Sequence, residues 1–504
     1  MHLAELLSVL PNSGPSLPAA VKSAVVTGLT EDSRKVLPGY VFIARSGTKT
    51  DGAQFLADAA AKGAIAAIVQ TPVAGVTLPQ IVHPEPSLAA SVLANAFFGQ
   101  PSRQMPVFGV TGTNGKTTVA YIVRHLLNHL SRKTGLIGTV EIDDGARRYE
   151  SDMTTPSAIE VARLLGTMQA NGCAAAAMEA SSHALHQNRV GAVRFAAAAF
   201  TNLTGDHLDY HGTMEEYAAS KARLFEQLDA KAVAVVSDYS PWTARMVRDC
   251  KARVVRFGYD TTLHYSATDV SVTASGTDFA FHTPRGTARV HMPLIGKHNI
   301  ENALAAMGMV GEVFSLSAGQ LAEAIRGCTG APGRLQPVQV HSVMGGQGFA
   351  TLVDYAHTDD ALENVLTALR PLTSGKLRVI FGCGGDRDRT KRPRMAKVAA
   401  RLADVVYVTS DNPRTENPQA ILDEVVTGFT AGDKPKLACV EVDRRSAIQK
   451  AVADCSTGDV LLIAGKGHEN YQILGTTKHH FDDVEEAAAA IRARLGKSSA
   501  AVAA

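Results

Sequence analysis

The 504-residue sequence has one tryptophan and six cysteines, none of them in a CxxC pair. Those cysteines, at 173, 250, 328, 383, 439 and 455, are scattered through a chain large enough to be held by its core. No disulfide framework is therefore expected, and they read as reduced cytoplasmic thiols. No stretch reaches the roughly 18 consecutive apolar residues of a membrane span. Residues 1–11 lack the basic start of a secretion signal, so the expected location is the cytoplasm. The formal net charge of +2 leaves no electrostatic footprint for nucleic acid. Internal repeats and low-complexity tracts are absent as well. What remains, 45% apolar and 19% charged residues, describes an ordinary globular protein with ample core. Its length suggests about three domains.

The most informative stretch is Phe108-Gly109-Val110-Thr111-Gly112-Thr113-Asn114-Gly115-Lys116-Thr117-Thr118. Residues 105–110 read as a buried strand, and the glycines allow a tight turn. Val119, Ile122, Val123, Leu126, Leu127 and Leu130 then recur with helical spacing on one face. A strand, a glycine turn and a helix N-terminus together hold a phosphate chain. Backbone N–H groups point inward, the helix dipole favours negative charge, Lys116 reaches the outer phosphates, and the Thr117 hydroxyl can bind Mg²⁺. Val110 stands where a strict P-loop has its first glycine, so this is a variant loop; the alternative is an ordinary glycine-rich turn. A nucleoside triphosphate site is the reading that also accounts for Gly-Lys-Thr-Thr at the helix start.

The expected organisation is α/β throughout, in three domains. Residues 1–103 form a small α/β unit with strands at 40–44 and 64–69, and Pro101 and Pro106 bracket the passage onward. Residues 104–335 alternate strand and helix as a P-loop-type, mostly parallel sheet, with strands at 136–139, 173–179, 195–201 and 232–236. Within them residues 262–296 read as a small antiparallel insert, and 299–313 as helix. Ala331-Pro332-Gly333-Arg334 is turn chemistry and marks the second boundary. Residues 336–504 form a Rossmann-like doubly wound sheet with strands at 349–354, 377–382, 405–409, 437–442 and 460–464, and residues 498–504 are expected to fray.

In such sheets ligands gather beyond the carboxyl ends of the strands. Glu179 closes one strand, before Ser181-Ser182-His183; Thr201-Asn202 closes the next, before Asp206-His207. A carboxylate and an imidazole beside the glycine loop suit Mg²⁺; the less favoured alternative is that Asp206 and His207 merely cap a helix or turn. Lys221 lies in a helix, where a lysine is usually a solvated charge. Four strand ends of the last domain are polar: Asp354, Gly384 to Arg389, Ser410 to Arg414, and Gly465 to Glu469. Together they suggest a second pocket for a small, multiply charged ligand.

Several motifs in this order resemble the Mur ligases, the ATP-dependent amide-forming enzymes of peptidoglycan assembly. They are Gly112 to Thr118, Thr154-Thr155-Pro156, Glu179-Ala180-Ser181-Ser182-His183, Asp206-His207-Leu208-Asp209-Tyr210-His211-Gly212, Gly296 to Asn302, Asp354-Tyr355-Ala356-His357 and Asp411-Asn412-Pro413-Arg414. The resemblance covers nearly the whole chain. It implies that ATP phosphorylates the D-glutamate carboxylate of a UDP-N-acetylmuramoyl dipeptide, and that an uncharged amine attacks the resulting acyl phosphate. It implies ATP contacts from Gly112, Thr113, Asn114, Gly115, Lys116, Thr117, Thr118, Asn299, Asn302, Arg334 and Asp354. Thr117 and Glu179 would hold one Mg²⁺, and His207 and Glu179 a second, with catalysis resting on Lys116, Glu179, His207 and Lys221. Lys221 would carry a CO₂-derived carbamate that helps order the metal.

By the same resemblance Ser33, Thr154, Thr155, Ser182 and Arg189 would hold the UDP-substrate. Asp411-Asn412-Pro413-Arg414 resembles the diaminopimelate signature rather than the lysine one, with Arg387, Asp411, Asn412, Arg414, Gly465 and Glu469 around meso-diaminopimelate. Lys116 and Arg414, on different domains, would meet one reaction centre after domain closure. The partners implied are small molecules, with no nucleic acid or membrane, and the chain is expected to be a monomer. Two positions depart from the family pattern. Asp359 replaces a usual proline, which is expected to loosen the loop after Asp354, and Thr48-Lys49 replace a His-Gln pair near the uridine end.

Overall fold

The computed structural model describes residues 1–10, 18–45, 47, 51–273, 276–338, 340 and 348–502. Thr48-Lys49 lie outside them. The chain divides into two compact units, one of Met1–Ser266, His282–Ala288 and Asn302–Ala324, the other of Ala267–Phe281, Arg289–Glu301 and Ile325–Ala504.

The first unit holds two sheets. The smaller has four parallel strands in sequence order, Gly28–Thr30, Tyr40–Ile43, Ala66–Val69 and Gln80–Val82. Both faces are covered, which is why Val41-Phe42-Ile43 and Ala66 to Val69 are uniformly apolar rather than alternating. The helix Pro86–Phe97, opened by a proline at its first turn, packs on one face. Ala158 and Ala162 of the helix Ala158–Ala170 join the same core, so the small sheet and the larger one share buried apolar surface.

The larger sheet runs Thr134–Ile137, Ala175–Glu179, Val107–Thr111, Phe195–Phe200, Val233–Ser237 and Arg253–Gly258, all parallel. The expected strands are all present, trimmed or shifted by a residue or two. Val107–Thr111 is central, and register pairs Val110 with Glu179 and Thr111 with Phe200. Three strand ends therefore open together at a topological switch point, where ligands bind in such sheets. An antiparallel extension, Glu141–Asp143 and Arg148–Glu150, was not anticipated. The insert expected at 262–296 is three strands, Tyr265–Thr273, Gly276–Thr283 and Gly286–Met292. The last two are joined by Pro284-Arg285 alone, which requires antiparallel pairing. The helix Lys297–Phe314 follows.

The second unit is doubly wound. Its strands lie in the order Gln336–Pro337, Ala350–Asp354, Val460–Ala464, Leu377–Phe381, Val405–Thr409 and Leu437–Glu441, the first antiparallel and the rest parallel. Helices Asp359–Leu369, Lys391–Leu402 and Pro418–Val426 cover one face; Arg444–Asp454 and Asp483–Val502 cover the other. A hairpin, Tyr471–Leu474 with Thr477–His480, follows the strand Val460–Ala464. Two expectations are corrected here. The final helix continues to Val502 rather than fraying from residue 498. Asp359 does not loosen its loop: it enters the first turn of a helix capped by Thr358, where a carboxylate suits the dipole, and pairs with Arg394 at 3.0 Å. All six cysteines are free. Among the described residues no helix is long and apolar enough to cross a membrane.

Candidate active site

In the first unit the glycine loop leads from the central strand into the helix Lys116–His129. Its backbone is held from the neighbouring strand end: Thr113 N donates to Asn202 O at 2.9 Å, Asn114 N to Asn202 Oδ1 at 3.0 Å, and Thr201 Oγ1 to Asn114 O at 2.6 Å. Thr113 Oγ1 lies 3.2 Å from the Tyr217 hydroxyl. Lys116 Nζ donates to Gly112 O at 3.0 Å and Thr113 O at 2.8 Å. On the other flank Glu179, fully buried, accepts from Thr117 Oγ1 at 3.0 Å, Thr139 N at 2.7 Å and Thr139 Oγ1 at 3.0 Å. A buried carboxylate needs such donors, because leaving it unpaired costs several kcal/mol.

Lys221 is buried to 1% exposure, and its Nζ donates to Gly112 O at 2.8 Å while standing 4.5 Å over the Tyr217 ring. Two lysines thus share one carbonyl. Burial and the Lys116 ammonium both push the Lys221 amine well below the ordinary lysine range, against a weaker pull from Asp206. His207 stands in the left-handed region at φ 54°, its Nε2 3.4 Å from Asp206 Oδ2. Desolvation first, then Lys116 and Lys221, lower its pKa against the pull of Asp206, a modest effect for a side chain that is half exposed. His183 and His211, in ring contact with each other, are lowered to about 4, chiefly by burial. His211 also bridges Ser182 Oγ at 3.0 Å and Ser220 Oγ at 3.3 Å.

Of the residues expected around the nucleotide-sugar, Thr154, Thr155, Ser182 and Arg189 adjoin this cluster. Thr155 Oγ1 donates to Glu179 O at 2.8 Å, and Thr154 lies 3.1 Å from Thr139 Oγ1. Arg189 Nη1 donates to Thr155 O at 2.7 Å. Ser33 is buried at the start of the short 3₁₀ turn Ser33–Lys35. Nearby, Glu31 pairs with Arg45 at 2.9 Å; burial raises its pKa against the attraction of Arg45 and Arg189. Arg45 also lines a cavity of about 620 Å³ with Glu85, His186, Arg223 and Gln227. Asn302 lies against Gly115, whereas Asn299, in the second unit, donates to Ile295 O at 2.8 Å.

The second unit gathers the remaining polar strand ends. Asp354 accepts from Leu335 N at 2.7 Å and Ala356 N at 2.8 Å, and burial raises its pKa against Arg334. Arg334 stacks 4.7 Å from the Tyr355 ring, and its buried Nε finds no acceptor among the described residues. His298 and His468 are held neutral, at about 4 and about 3, by burial and then Arg334. Asn412 Nδ2 donates to Glu469 Oε2 at 2.8 Å. Burial, then Asp411, raises the Glu469 pKa. Arg414 has φ 51°, and its Nη1 donates to Gly385 O at 2.9 Å and Asn412 O at 3.5 Å. Its backbone is tied to the hairpin through Ile473 O at 3.1 Å. Gly465 approaches Asp411 closely: a Cβ there would stand 2.8 Å from Asp411 Oδ2. Arg387 lies at the exposed rim, donating to Asp386 O at 3.1 Å.

Three family models match successive stretches of the chain: "Mur ligase family, catalytic domain" at residues 25–98, "Mur ligase middle domain" at 110–310 and "Mur ligase, glutamate ligase domain" at 333–467. The chain belongs to the Mur ligase family. Among its relatives is the UDP-N-acetylmuramoyl-L-alanyl-D-glutamate–2,6-diaminopimelate ligase of Synechococcus elongatus, 42% identical over 98% of this chain and 99% of the relative. The like-named protein of Thermosynechococcus vestitus is 44% identical over the same shares. A solved structure of a UDP-N-acetylmuramoyl-L-alanyl-D-glutamate–2,6-diaminopimelate ligase superposes with a TM-score of 0.70 at 33% identity, covering 98% of this chain and 99% of that one.

Against this Mur ligase frame, the structure gathers the expected residues into two groups, one per unit. Lys116, Thr117, Glu179, Thr154, Thr155 and Lys221 interlock around the glycine loop; Arg334 with Asp354, and Asp411, Asn412, Arg414, Gly465 and Glu469, assemble at the second sheet. Sequence reasoning passed over Thr139, Asn202 and Tyr217, which hold Glu179 and the loop. It also passed over Lys466, fully buried and 3.3 Å from Glu469 Oε2, and over Arg444. Lys466 and Asn202 sat inside quoted motifs, so a buried lysine next to a strand end was a usable signal. Thr139 and Tyr217 had none, because only tertiary register brings them in.

Proposed function

We propose that this Mur ligase joins meso-diaminopimelate to UDP-N-acetylmuramoyl-L-alanyl-D-glutamate in peptidoglycan biosynthesis, forming ADP and phosphate. The observation that carries the reading is identity of 42% and 44%, over 98% of the chain, to relatives that bear that name. We take it to act in the cytoplasm as a monomer, with working parts at residues 1–103, 104–335 and 336–504.

A carboxylate does not acylate an amine at neutral pH, because it is anionic and has no leaving group. In the proposed reaction an oxygen of the D-glutamate carboxylate attacks the γ-phosphorus of ATP and ADP leaves. The diaminopimelate nitrogen then attacks the acyl carbon, phosphate departs and the nitrogen loses its proton. The protein's share is positioning and charge neutralisation. Thr113 N and Asn114 N are taken by Asn202, which fixes the loop; the N–H groups at the helix start, Lys116 to Thr118, cradle the phosphates, and Lys116 neutralises the outer ones. The buried Arg334 Nε, which finds no acceptor among the described residues, supports the adenine-nucleotide contact assigned to Arg334 and Asp354.

The donor set beside the loop, a Thr117 hydroxyl, the Glu179 carboxylate and the His207 imidazole, fits Mg²⁺, which takes one or two carboxylates together with substrate phosphates. Bound there, Mg²⁺ would supply charge neutralisation between ATP and the acceptor carboxylate. Ser33, Thr154, Thr155, Ser182 and Arg189 hold the nucleotide-sugar. At the second sheet Asp411, Asn412, Gly465 and Glu469 receive the ammonium end of the amino acid, with Arg387 at the rim. Arg414, oriented by two carbonyls, pairs with the distal carboxylate that L-lysine lacks.

Phosphate release from ATP is expected only when the muramoyl dipeptide and meso-diaminopimelate are both present. L-Lysine should have a kcat/KM lower by at least ~100-fold, since it leaves a desolvated guanidinium unpaired. Equal turnover with L-lysine would overturn the substrate assignment. Phosphate release with no new amide bond would point instead to a nucleotide-driven switch.

A second expectation concerns Gly115, at φ 88°, where a Cβ would run into Asn302 Oδ1. Gly115→Ala should strain the loop by about 1–3 kcal/mol and weaken ATP binding by about tenfold or more, the equivalent of ~1.4 kcal/mol. Calorimetric titration with a non-hydrolysable ATP analogue reads this directly, and unchanged affinity would remove the loop from the nucleotide site.

A further inference from the structure

Beneath the second unit's pocket lies a guanidinium that none of the assignments above uses. Arg444 begins the helix Arg444–Asp454, which covers the sheet face opposite the helices Asp359–Leu369, Lys391–Leu402 and Pro418–Val426. Its side chain and that of Asp483 are both 0% exposed, and they form a two-bond pair, Nε to Oδ1 and Nη2 to Oδ2, each at 2.7 Å. The rest of the fork reaches two main-chain carbonyls: Nη2 donates to Ala464 O at 3.0 Å and Nη1 to Ser410 O at 3.2 Å. Ala464 ends the strand Val460–Ala464, and Ser410 directly follows Val405–Thr409. These strands are not neighbours, because Leu377–Phe381 runs between them.

We propose that Arg444 is a positioning residue that sets the distance between the two loops holding the incoming amino acid. The loop after Ser410 begins with Asp411 and Asn412; the loop after Ala464 runs from Gly465 to Glu469. The two meet through the Asn412–Glu469 hydrogen bond of 2.8 Å and the close approach of Gly465 to Asp411. The ladders through Leu377–Phe381 space the strands themselves, but no ladder bond links the two loop starts directly, and a planar fork of fixed width does. Asp483 neutralises the charge, so the guanidinium serves as a spacer without leaving an unpaired cation in the core. Its charge also faces Asp411 and Glu469, the acidic groups assigned to the ammonium. This role rests on the amino-acid pocket assigned above.

The test is Arg444→Met combined with Asp483→Leu. Removing both charges together leaves an apolar pair of similar bulk, a replacement that buried ion pairs often tolerate. Arg444→Lys serves as a second variant, keeping the charge but offering a point donor in place of the fork. Arg414→Ala, which alters a residue assigned to touch the substrate, is the reference. Steady-state phosphate release gives KM for each of the three substrates, and a thermal melt gives folding. The double variant also loses the donors to the Ser410 and Ala464 carbonyls, so it should fold with a somewhat lower melting temperature and raise the KM for meso-diaminopimelate about tenfold, a ~1.4 kcal/mol change. The KM for ATP and for the muramoyl dipeptide should be unchanged. Arg444→Lys should fall between it and the wild type, and it decides the matter if the double variant does not fold.

An unchanged KM for meso-diaminopimelate beside a raised one in Arg414→Ala would overturn the spacer role alone. Unchanged values in both would overturn the pocket assignment and the spacer role with it. A parallel rise in all three KM values would mark Arg444 as generally structural and reject the proposal.

Discussion

Lys116→Ala is expected to lower kcat for amide formation by at least ~10³-fold, with little change in folding. Removing one preorganised donor from a developing oxyanion commonly costs ~10²–10³-fold, and Lys116 is assigned a full charge rather than a dipole. Its half-buried Nζ hangs over the loop from the carbonyls of Gly112 and Thr113. Phosphate oxygens bound by the amides of the helix start would stand beside it. The side chain contributes no core packing, so the melting temperature should move little. One secondary effect has a definite sign. Lys116 is among the groups that depress the Lys221 amine, so its removal should raise the Lys221 pKa. Steady-state phosphate release, with a melt as control, measures the main effect. A variant that retained most of its activity would remove Lys116 from the reaction.

Lys221→Ala is expected to be nearly inactive, by ~10³-fold or more on the same scale of lost charge stabilisation, and partly recoverable with a small carboxylate such as formate or acetate. We propose that the amine adds to CO₂: nitrogen attacks the carbon, an N–C bond forms, and one proton leaves to give a carbamate anion. Only a neutral amine can do this. An exposed lysine at pH 7 is almost wholly protonated, but burial and Lys116 act together on Lys221 to favour the neutral form. The consequence is a reversal of sign. An amine that now shares the Gly112 carbonyl with Lys116 would become an anion attractive to Lys116 and to a divalent ion. In the alanine variant the vacated volume leaves room for the rescuing carboxylate. Lys221→Met fills that volume and should be equally inactive but not rescued. A fully active Lys221→Ala, or equal rescue of both variants, would reject the carbamate.

The glycine loop between strand and helix was legible because it is local. Strand, glycine turn and helix follow one another within residues 105–130, and each is dictated by side chains a few positions apart: the apolar run, the glycines, the helical recurrence of Val119 to Leu130. The strand order of the second sheet was legible only as far as alternation of strand and helix implies a parallel, doubly wound sheet. The departure at Asp359 was misjudged, since local reasoning saw a missing proline where the chain has a capped helix start with an ion pair to Arg394. The hairpin Tyr471–Leu474 with Thr477–His480, which anchors Arg414 through Ile473, was not seen at all.

By itself the sequence determined the α/β class, the glycine turn between strand and helix, the polar strand ends and, through its motifs, the family. These depend on short-range patterns: the helical period, turn chemistry, and which side chain stands where a strand stops. The tertiary structure alone decided which distant residues act together. Glu179 reaches Thr117 across 62 positions because parallel register sets Val110 beside it. Arg444 reaches Ser410, Ala464 and Asp483 because three separate segments end over one buried guanidinium. The physical reason is that a buried charge must find its partners wherever packing places them. Sequence spacing says nothing about that until the sheets are assembled.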